Sequence, residues 1–118
     1  MDSLNNFFQE LYKNFNDGKI DWVISHMTEN VKWANGMEGG YVYGHNGVRE
    51  YWIRQFTMMS SKVTPLEIDA ENETVKIKVH QMVHDLNGKL LADETVYHFF
   101  HLRDNKIAEF DVGEKIKN

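Results

Sequence analysis

The apolar residues in the first half of the chain recur at helical spacing. In the first helix they are Leu4, Phe7, Phe8, Leu11 and Phe15. The Asn-Asp-Gly run at 16–18 predicts the end of this helix, because all three residue types favour turns. Further helices are predicted over residues 20–27 and 48–59, separated by a strand at 31–35 and a glycine-rich connection at 36–47.

The second half of the chain has the period-two pattern of β-strands. Strands are predicted at residues 63–68, 74–84, 90–102 and 106–112. Helices followed by an antiparallel meander predict an α+β domain, in which the helices pack on one face of a sheet.

The Asn87-Gly88 pair predicts a tight hairpin between the second and third of these strands, with a type I′ turn. The resulting register places one set of cross-strand pairs on a single face: Val75 with Phe100, Ile77 with His98, Val79 with Val96, Gln81 with Glu94 and Val83 with Ala92. Lys76 and Lys78 lie on the other face, so we expect the valine face to point inward. Three polar residues then face inward, namely Gln81, Glu94 and His98. A buried polar side chain needs a hydrogen-bond partner or has a functional role.

Composition narrows the class of protein. The 118 residues suit one domain spanning 1–118, and the net charge of −5 argues against binding to nucleic acid or anionic membranes. The absence of cysteine excludes disulfides and thiolate chemistry. The first residues contain neither a signal peptide nor a long apolar stretch, so we expect a soluble, cytoplasmic protein.

The histidines do not form a pattern typical of metal sites. His80 and His84 lie on one strand, about 13 Å apart at the rise of an extended chain. They face away from the inner side of the sheet, and His98 and His101 point to opposite faces. We therefore expect no metal and no cofactor.

The order of elements resembles the SnoaL-like branch of the NTF2-like superfamily. The motifs that carry this resemblance are NDGK at 16–19, MTENVKWANG at 27–36, GHNGVREYWIRQF at 44–56 and RDNKIAEFDV at 103–112. The resemblance implies a cone-shaped α+β fold with N-terminal helices packed on a curved antiparallel sheet, as in ketosteroid isomerase, scytalone dehydratase and the polyketide cyclases. That superfamily includes enzymes of several classes and proteins without known chemistry, so the fold alone does not give the function.

The sequence departs from the ketosteroid isomerase pattern at the positions that carry its chemistry. Asn35 falls where that family has its general-base Asp, Leu11 where it has its oxyanion-stabilising Tyr, and His98 where it has its protonated Asp. An amide cannot accept a proton from a carbon acid and Leu cannot donate a hydrogen bond, so we expect no activity of that kind. Many SnoaL-like sequences carry an inward acid on the last strand; here Val112 has that position, and only a β-bulge would turn Asp111 inward.

The catalytic candidates are His98 and Asp111. His98 could act as a general acid or base or donate a hydrogen bond to a ligand, or it could be a core histidine satisfied by a backbone or tyrosine partner. Asp111 could be a cavity acid or a surface acid. Asn35 could orient a ligand or hold the His98 ring, or simply end its strand. Glu94 could act as a base or pair with Gln81 at a cavity rim.

An aromatic-rich lining is predicted for the space between helices and sheet, formed by Phe15, Trp22, Met27, Trp33, Trp52, Phe56 and Phe110. Ordinary packing accounts for most of these residues, and only the excess of rings over a small core points to an apolar, planar ligand.

Two functions follow from these observations. The first is a cofactor-free isomerase, dehydratase or hydrolase that acts on a small hydrophobic metabolite in a closed, mostly apolar cavity. The second is a non-catalytic ligand-binding or dimerisation module. We also expect a homodimer, because the outer face of the sheet carries Met82, Leu91, Tyr97 and Phe99. Proteins of the resembled family commonly dimerise through this surface.

Overall fold

The computed structural model describes the backbone of residues 2–36 and 38–115, and the side chains of residues 4–36 and 38–113. The helices in this part are α1 (Asp2–Asn16), α2 (Ile20–Ile24) and α3 (Gly44–Met58). The strands are β1 (Met27–Ala34), β2 (Tyr41–Tyr43), β3 (Met59–Glu71), β4 (Thr74–Asp85), β5 (Leu90–Arg103) and β6 (Lys106–Lys115). None of the described helices is long and apolar enough to cross a lipid bilayer.

The strands form one curved, unclosed sheet in the order β2-β1-β6-β5-β4-β3. The predicted α+β class and the meander from β3 to β6 are confirmed. The sheet is mixed rather than wholly antiparallel, because β1 enters it beside β6 and runs parallel to it, with Trp33 opposite Phe110. The remaining neighbouring strands pair antiparallel.

The helices cover the face of the sheet that the hairpin pattern predicts. On β4 the side chains of Val75, Ile77 and Val79 are fully buried, whereas Lys76 between them is exposed. Opposite them, Val96 and Phe100 of β5 are buried in the same core. The alternation of apolar and polar residues therefore corresponds to an inner and an outer face, as the period of a β-strand requires.

The turn between β4 and β5 differs from the predicted type I′ form. Within this turn only Gly88 has a positive φ, of 89°, whereas a type I′ turn needs positive φ at both central residues. The Asp85 N–H donates to the Lys89 carbonyl at 2.9 Å, so the loop is one residue longer than predicted. Leu91 then bulges from β5, and the register from Val83 to Val75 is the predicted one.

The glycine-rich connection holds more regular structure than predicted. Its residues 41–43 form β2, which pairs with the end of β1, and α3 begins at Gly44 with a φ of 75°. A strand of three residues is too short to show alternation. Met27 and Met59 were predicted at helix ends, but each begins a strand. Only a two-residue turn, Ser25-His26, separates α2 from β1, and β3 follows α3 without any loop.

The end of α1 is bonded to the sheet through Asn16. Its Nδ2 donates to the Val63 carbonyl at 2.7 Å, and the Val63 N–H donates to its Oδ1 at 2.9 Å. Val63 lies on β3, the edge strand, so the amide side chain occupies the place of a further strand. This pair of bonds sets the distance between the helix and the edge of the sheet.

We expect Asn16→Ala to lower the free energy of unfolding by about 1–3 kcal/mol, because it leaves both backbone groups of a buried residue without these bonds. Chemical denaturation measures this change. Asn6→Ala, on the exposed side of the same helix, is the matched control and should have little effect. Equal effects of the two substitutions would contradict a special role for Asn16.

Candidate functional site

A cavity of about 420 Å³ lies between α1, α3 and the inner face of the sheet. Its lining is mainly apolar and aromatic: Leu11, Tyr12, Phe15, Val23, Trp33, Ala34, Gly36, Tyr51, Trp52, Gln55, Met59, Ser61, Val63, Gln81, Val83, His98, Phe100, Phe110 and Val112. Gly36 and Val112 are exposed, so the cavity opens to solvent and the predicted closed form is wrong. Among the described residues, the lining contains neither a carboxylate nor a lysine or arginine side chain.

The polar centre of this cavity is a buried hydrogen bond between Tyr12 and His98. The Tyr12 hydroxyl oxygen lies 2.7 Å from Nδ1 of His98, and the two ring planes are only 16° apart. Tyr12 comes from α1 and His98 from the inward phase of β5, and both side chains are buried. The distance is that of a short hydrogen bond.

Burial keeps both members of this pair neutral. It lowers the pKa of His98 to about 4, because an imidazolium is poorly solvated there. It raises the pKa of Tyr12 well above its ordinary value, because a phenolate would suffer the same loss of solvation. At neutral pH the pair therefore offers hydrogen bonds but no charge.

Stacked and edge-on rings form one wall of the cavity. The Trp33 and Phe110 rings are stacked at 4.0 Å, a consequence of the parallel pairing that puts these residues side by side. Trp52 of α3 meets Trp33 edge-on at 5.1 Å, and Phe15 of α1 meets Trp52 at 5.2 Å. Phe110 also presents its ring to His98 at 4.9 Å. The imidazole thus lies among aromatic surfaces that disfavour water.

The comparisons with known proteins agree with this architecture. Residues 8–110 match the profile of the SnoaL-like domain family. The chain belongs to this family. It is therefore also a member of the NTF2-like superfamily that its motifs resemble. No curated protein matches it significantly.

Several solved structures share the fold of this SnoaL-like domain. TerC co-crystallised with polyporic acid is 24% identical, with a TM-score of 0.80, and the match covers 92% of this chain and 88% of TerC. An NTF2-like protein of unknown function from Burkholderia pseudomallei is 18% identical, with a TM-score of 0.82 and coverages of 95% and 89%. SalBIII, an epoxide hydrolase/cyclase-like enzyme of pyran ring formation in salinomycin, is 19% identical, with a TM-score of 0.78 and coverages of 92% and 88%.

The SnoaL-like domain brings six of the predicted site residues to the cavity. They are Phe15, Trp33, Trp52, Gln81, His98 and Phe110. Gln81 lies opposite Glu94 as predicted, but Glu94 does not line the cavity. Among the predicted aromatic and apolar lining residues, Trp22, Met27 and Phe56 do not line it either. Met27 is fully buried in the core because it belongs to β1, and not to the second helix.

Asn35 and Asp111 lie away from the cavity lining. Asn35 is buried just after β1, where its Oδ1 accepts the N–H of Glu38 at 2.9 Å and its Nδ2 donates to Glu38 Oε1 at 3.3 Å. It therefore organises the turn into β2, and Tyr12 takes the place beside Nδ1 of His98 that was expected for Asn35. Asp111 faces outward without a bulge, and its Oδ2 accepts the Tyr41 hydroxyl at 2.9 Å. The buried Asn35 side chain thus has hydrogen-bond partners within the protein.

The sequence pattern missed several polar residues of the cavity. Tyr12 follows Phe8 by one helical turn, a spacing that would have placed it on the inner face of α1. Tyr51 lies within the predicted third helix but was not singled out, and its hydroxyl accepts the Gly36 N–H at 3.0 Å. Gln55 and Ser61 lie near the junction of α3 and β3, which the pattern placed too late in the chain.

On the outer face of the sheet, His80 pairs with a carboxylate. His80 Nε2 lies 2.6 Å from Asp93 Oδ1 across the β4–β5 pair. Within the described residues no three histidine, aspartate or glutamate side chains are grouped closely enough to hold a metal ion.

We expect the stability of this domain to fall as the pH falls from about 6.5 to about 4. Above that window the His98 ring is neutral in both the folded and the unfolded chain, so it contributes no pH dependence. Within the window the unfolded chain takes up a proton that the folded ring, with its pKa of about 4, does not. The loss should approach roughly 3 kcal/mol at the acid end.

Denaturant titrations across this pH range test the expectation. His98→Phe should flatten the profile, even though it lowers stability at neutral pH by orphaning the Tyr12 hydroxyl. His101→Phe, at an exposed position on the same strand, should leave the profile unchanged. An equally steep profile in the His98 variant would show that another group carries the acid sensitivity.

Proposed function

We propose that this SnoaL-like domain binds a small, largely apolar metabolite in its cavity and that His98 contacts an oxygen atom of that ligand. One observation carries the proposal: a neutral, buried imidazole lies in the wall of an aromatic cavity with no charged side chain in its lining. A charged ligand would lose its hydration there without gaining a counter-charge. A flat apolar ligand would bury its faces against the rings of Trp33, Phe110 and Trp52.

The related structures support a small-molecule role. TerC was crystallised with polyporic acid, and SalBIII is described as an epoxide hydrolase/cyclase-like enzyme of pyran ring formation. The volume of about 420 Å³ falls within the range of cavities that hold small ligands. By analogy, the ligand class we favour for this chain is a metabolite with ring systems and few polar groups.

The cavity chemistry favours binding over proton abstraction. A His98 pKa of about 4 makes the imidazole a weak base, and no carboxylate lines the cavity to take its place. A neutral imidazole can still donate a hydrogen bond to an oxygen that gains negative charge, which is the requirement of a cyclase or hydrolase that opens an epoxide or polarises a carbonyl. SalBIII is the observation that favours this second, catalytic candidate.

We expect a thermal-shift screen of apolar aromatic hydrocarbons, phenols and ketones to yield ligands that stabilise the wild-type domain. Ser61→Trp should abolish these shifts, because it places an indole ring at a position that lines the cavity. Lys62→Trp adds the same ring to the next position of β3, which is exposed on the other face, and should retain them. Similar losses in both variants, or no shift in the wild type, would contradict ligand binding in this cavity.

We also propose a homodimer through the outer face of the sheet. Leu90 and Leu91 are about half exposed, at 48% and 52%, and Met82, Tyr97 and Phe99 are only partly covered. Part of this face is already sheltered within the chain, because Lys76 Nζ lies 4.3 Å from the centre of the Tyr97 ring. A second copy would cover the rest of this apolar surface.

Light scattering should give about twice the chain mass of 13.9 kDa at micromolar concentration. Met82→Glu should shift the mass toward the monomer, because it buries a carboxylate in the proposed interface. Leu86→Glu, at the exposed hairpin tip, is the control and should not change the mass. A wild-type mass near that of one chain would overturn the proposed dimer.

A further inference from the structure

We infer that Tyr12 is a positioning residue that determines which ligands the cavity accepts. By donating its hydroxyl proton to Nδ1 of His98, it holds the imidazole in the tautomer that carries its proton on Nε2. The cavity then presents a fixed N–H donor and selects ligands with a hydrogen-bond acceptor, such as a ketone or quinone carbonyl. This inference rests on the proposed function, since it specifies the ligand of the same cavity.

The first step is the direction of the bond between Tyr12 and His98. A phenol hydroxyl and a neutral imidazole can share one proton in two ways, because each group has a donor form and an acceptor form. In one arrangement Tyr12 donates to Nδ1, and the remaining ring proton is on Nε2. In the other, Nδ1–H donates to the phenol oxygen, and both the phenol proton and the Nε2 lone pair point elsewhere.

The surroundings favour the first arrangement. Tyr12 is only 3% exposed and His98 only 6%, so neither group is freely solvated. Within the described part of the chain, the hydroxyl of Tyr12 has no acceptor other than Nδ1, and Nε2 has no protein partner. The first arrangement therefore leaves one polar group unsatisfied and the second leaves two, which costs more in a buried site.

The chemistry of the two groups points the same way. A phenol is the more acidic partner and therefore the better donor, and an imidazole nitrogen is the better acceptor. The neighbouring groups do not compete for the bond, because Phe110 and Phe100 present aromatic rings to this pair. The remaining Nε2–H is then the ring donor available to an occupant of the cavity.

This arrangement discriminates between ligands. An acceptor oxygen that meets Nε2–H satisfies a donor that has no hydrogen-bond partner among the described residues. A hydrocarbon of the same shape leaves that donor unpaired, and a ligand offering only an N–H would place two donors against each other. At Nε2 of His98, the selectivity is therefore for carbonyl-type oxygens.

The tautomer can be measured without any ligand, by nitrogen-15 NMR of the His98 ring in the full-length protein. The expected result is a protonated Nε2 and an unprotonated Nδ1 in the wild type at neutral pH. Tyr12→Phe retains the ring but removes the hydroxyl, and should give exchanging tautomers. Tyr51→Phe removes a different cavity hydroxyl, which accepts the Gly36 N–H, and should leave the His98 tautomer unchanged.

A pair of probes with one carbon skeleton then tests the selectivity. Wild-type protein should bind α-tetralone about fivefold more tightly than tetralin, the value of one net neutral hydrogen bond. The preference should shrink in Tyr12→Phe and vanish in His98→Phe. The outer-face variant Tyr43→Phe, at a position 63% exposed, should keep it.

The outcomes separate the inference from the proposed function. If neither probe binds the wild type, the proposed ligand-binding function fails. If both bind equally well, or if the wild-type ring carries its proton on Nδ1, the inference about Tyr12 fails while ligand binding stands. The wild-type tautomer measurement keeps the inference testable even if Tyr12→Phe does not fold. An unchanged ketone preference in a folded Tyr12→Phe protein also overturns it.

Discussion

The pairing register between β4 and β5 is the constraint on which the cavity depends. Side chains alternate between the two faces of a strand, so a slip of one residue would send His98 to the outer face and bring Tyr97 or Phe99 into the core. Two deviations from ideal geometry cancel to give the observed register. The turn is one residue longer than the tightest hairpin, and the bulge at Leu91 removes the offset. Asp85 supports this longer turn, because its Oδ1 accepts the N–H groups of both Asn87 and Lys89.

Given that register, the groups that line the cavity are uncharged. Its wall combines aromatic rings with a polar pair that burial keeps uncharged, and the described residues that line it include no carboxylate, lysine or arginine. Interactions in a site of this kind depend little on ionic strength, because its described lining contains no ion pair that salt could screen. If the proposed function holds, discrimination between ligands has to come from shape and from the direction of single hydrogen bonds.

The sequence predicted the parts of the fold that short-range patterns control. Alternation on β4 and β5 placed His98 and Gln81 inward, and helical spacing placed Phe15 and Trp52 on the inner side of their helices. The partner of His98 was not predicted, because Tyr12 is 86 residues away and the contact depends on how α1 crosses the sheet. Spacing alone could not separate Leu11 from Tyr12, since adjacent helical residues both turned out to face the cavity.

The role of Asn35 could not be decided from the sequence. A polar residue after an apolar strand fits a ligand-binding role and a turn role equally well, and only the contact with Glu38 distinguishes them. For Asp111, the simple period of the strand predicted the observed outward orientation. The place of Ser61 in the cavity lining was missed because β3 follows α3 directly, without the turn residues that normally mark such a junction.

The parallel pairing of β1 with β6 has a consequence for the order in which the molecule is made. Trp33 emerges early in synthesis, but the ring that stacks on it, Phe110, belongs to the last strand. Until β6 is available, the nascent chain exposes an aromatic surface that the finished domain covers, a state prone to non-specific association. The contact joins distant parts of the chain. The chain therefore loses much conformational entropy on closing this loop before the contact stabilises it. The aromatic wall of the cavity is therefore complete only once β6 has docked.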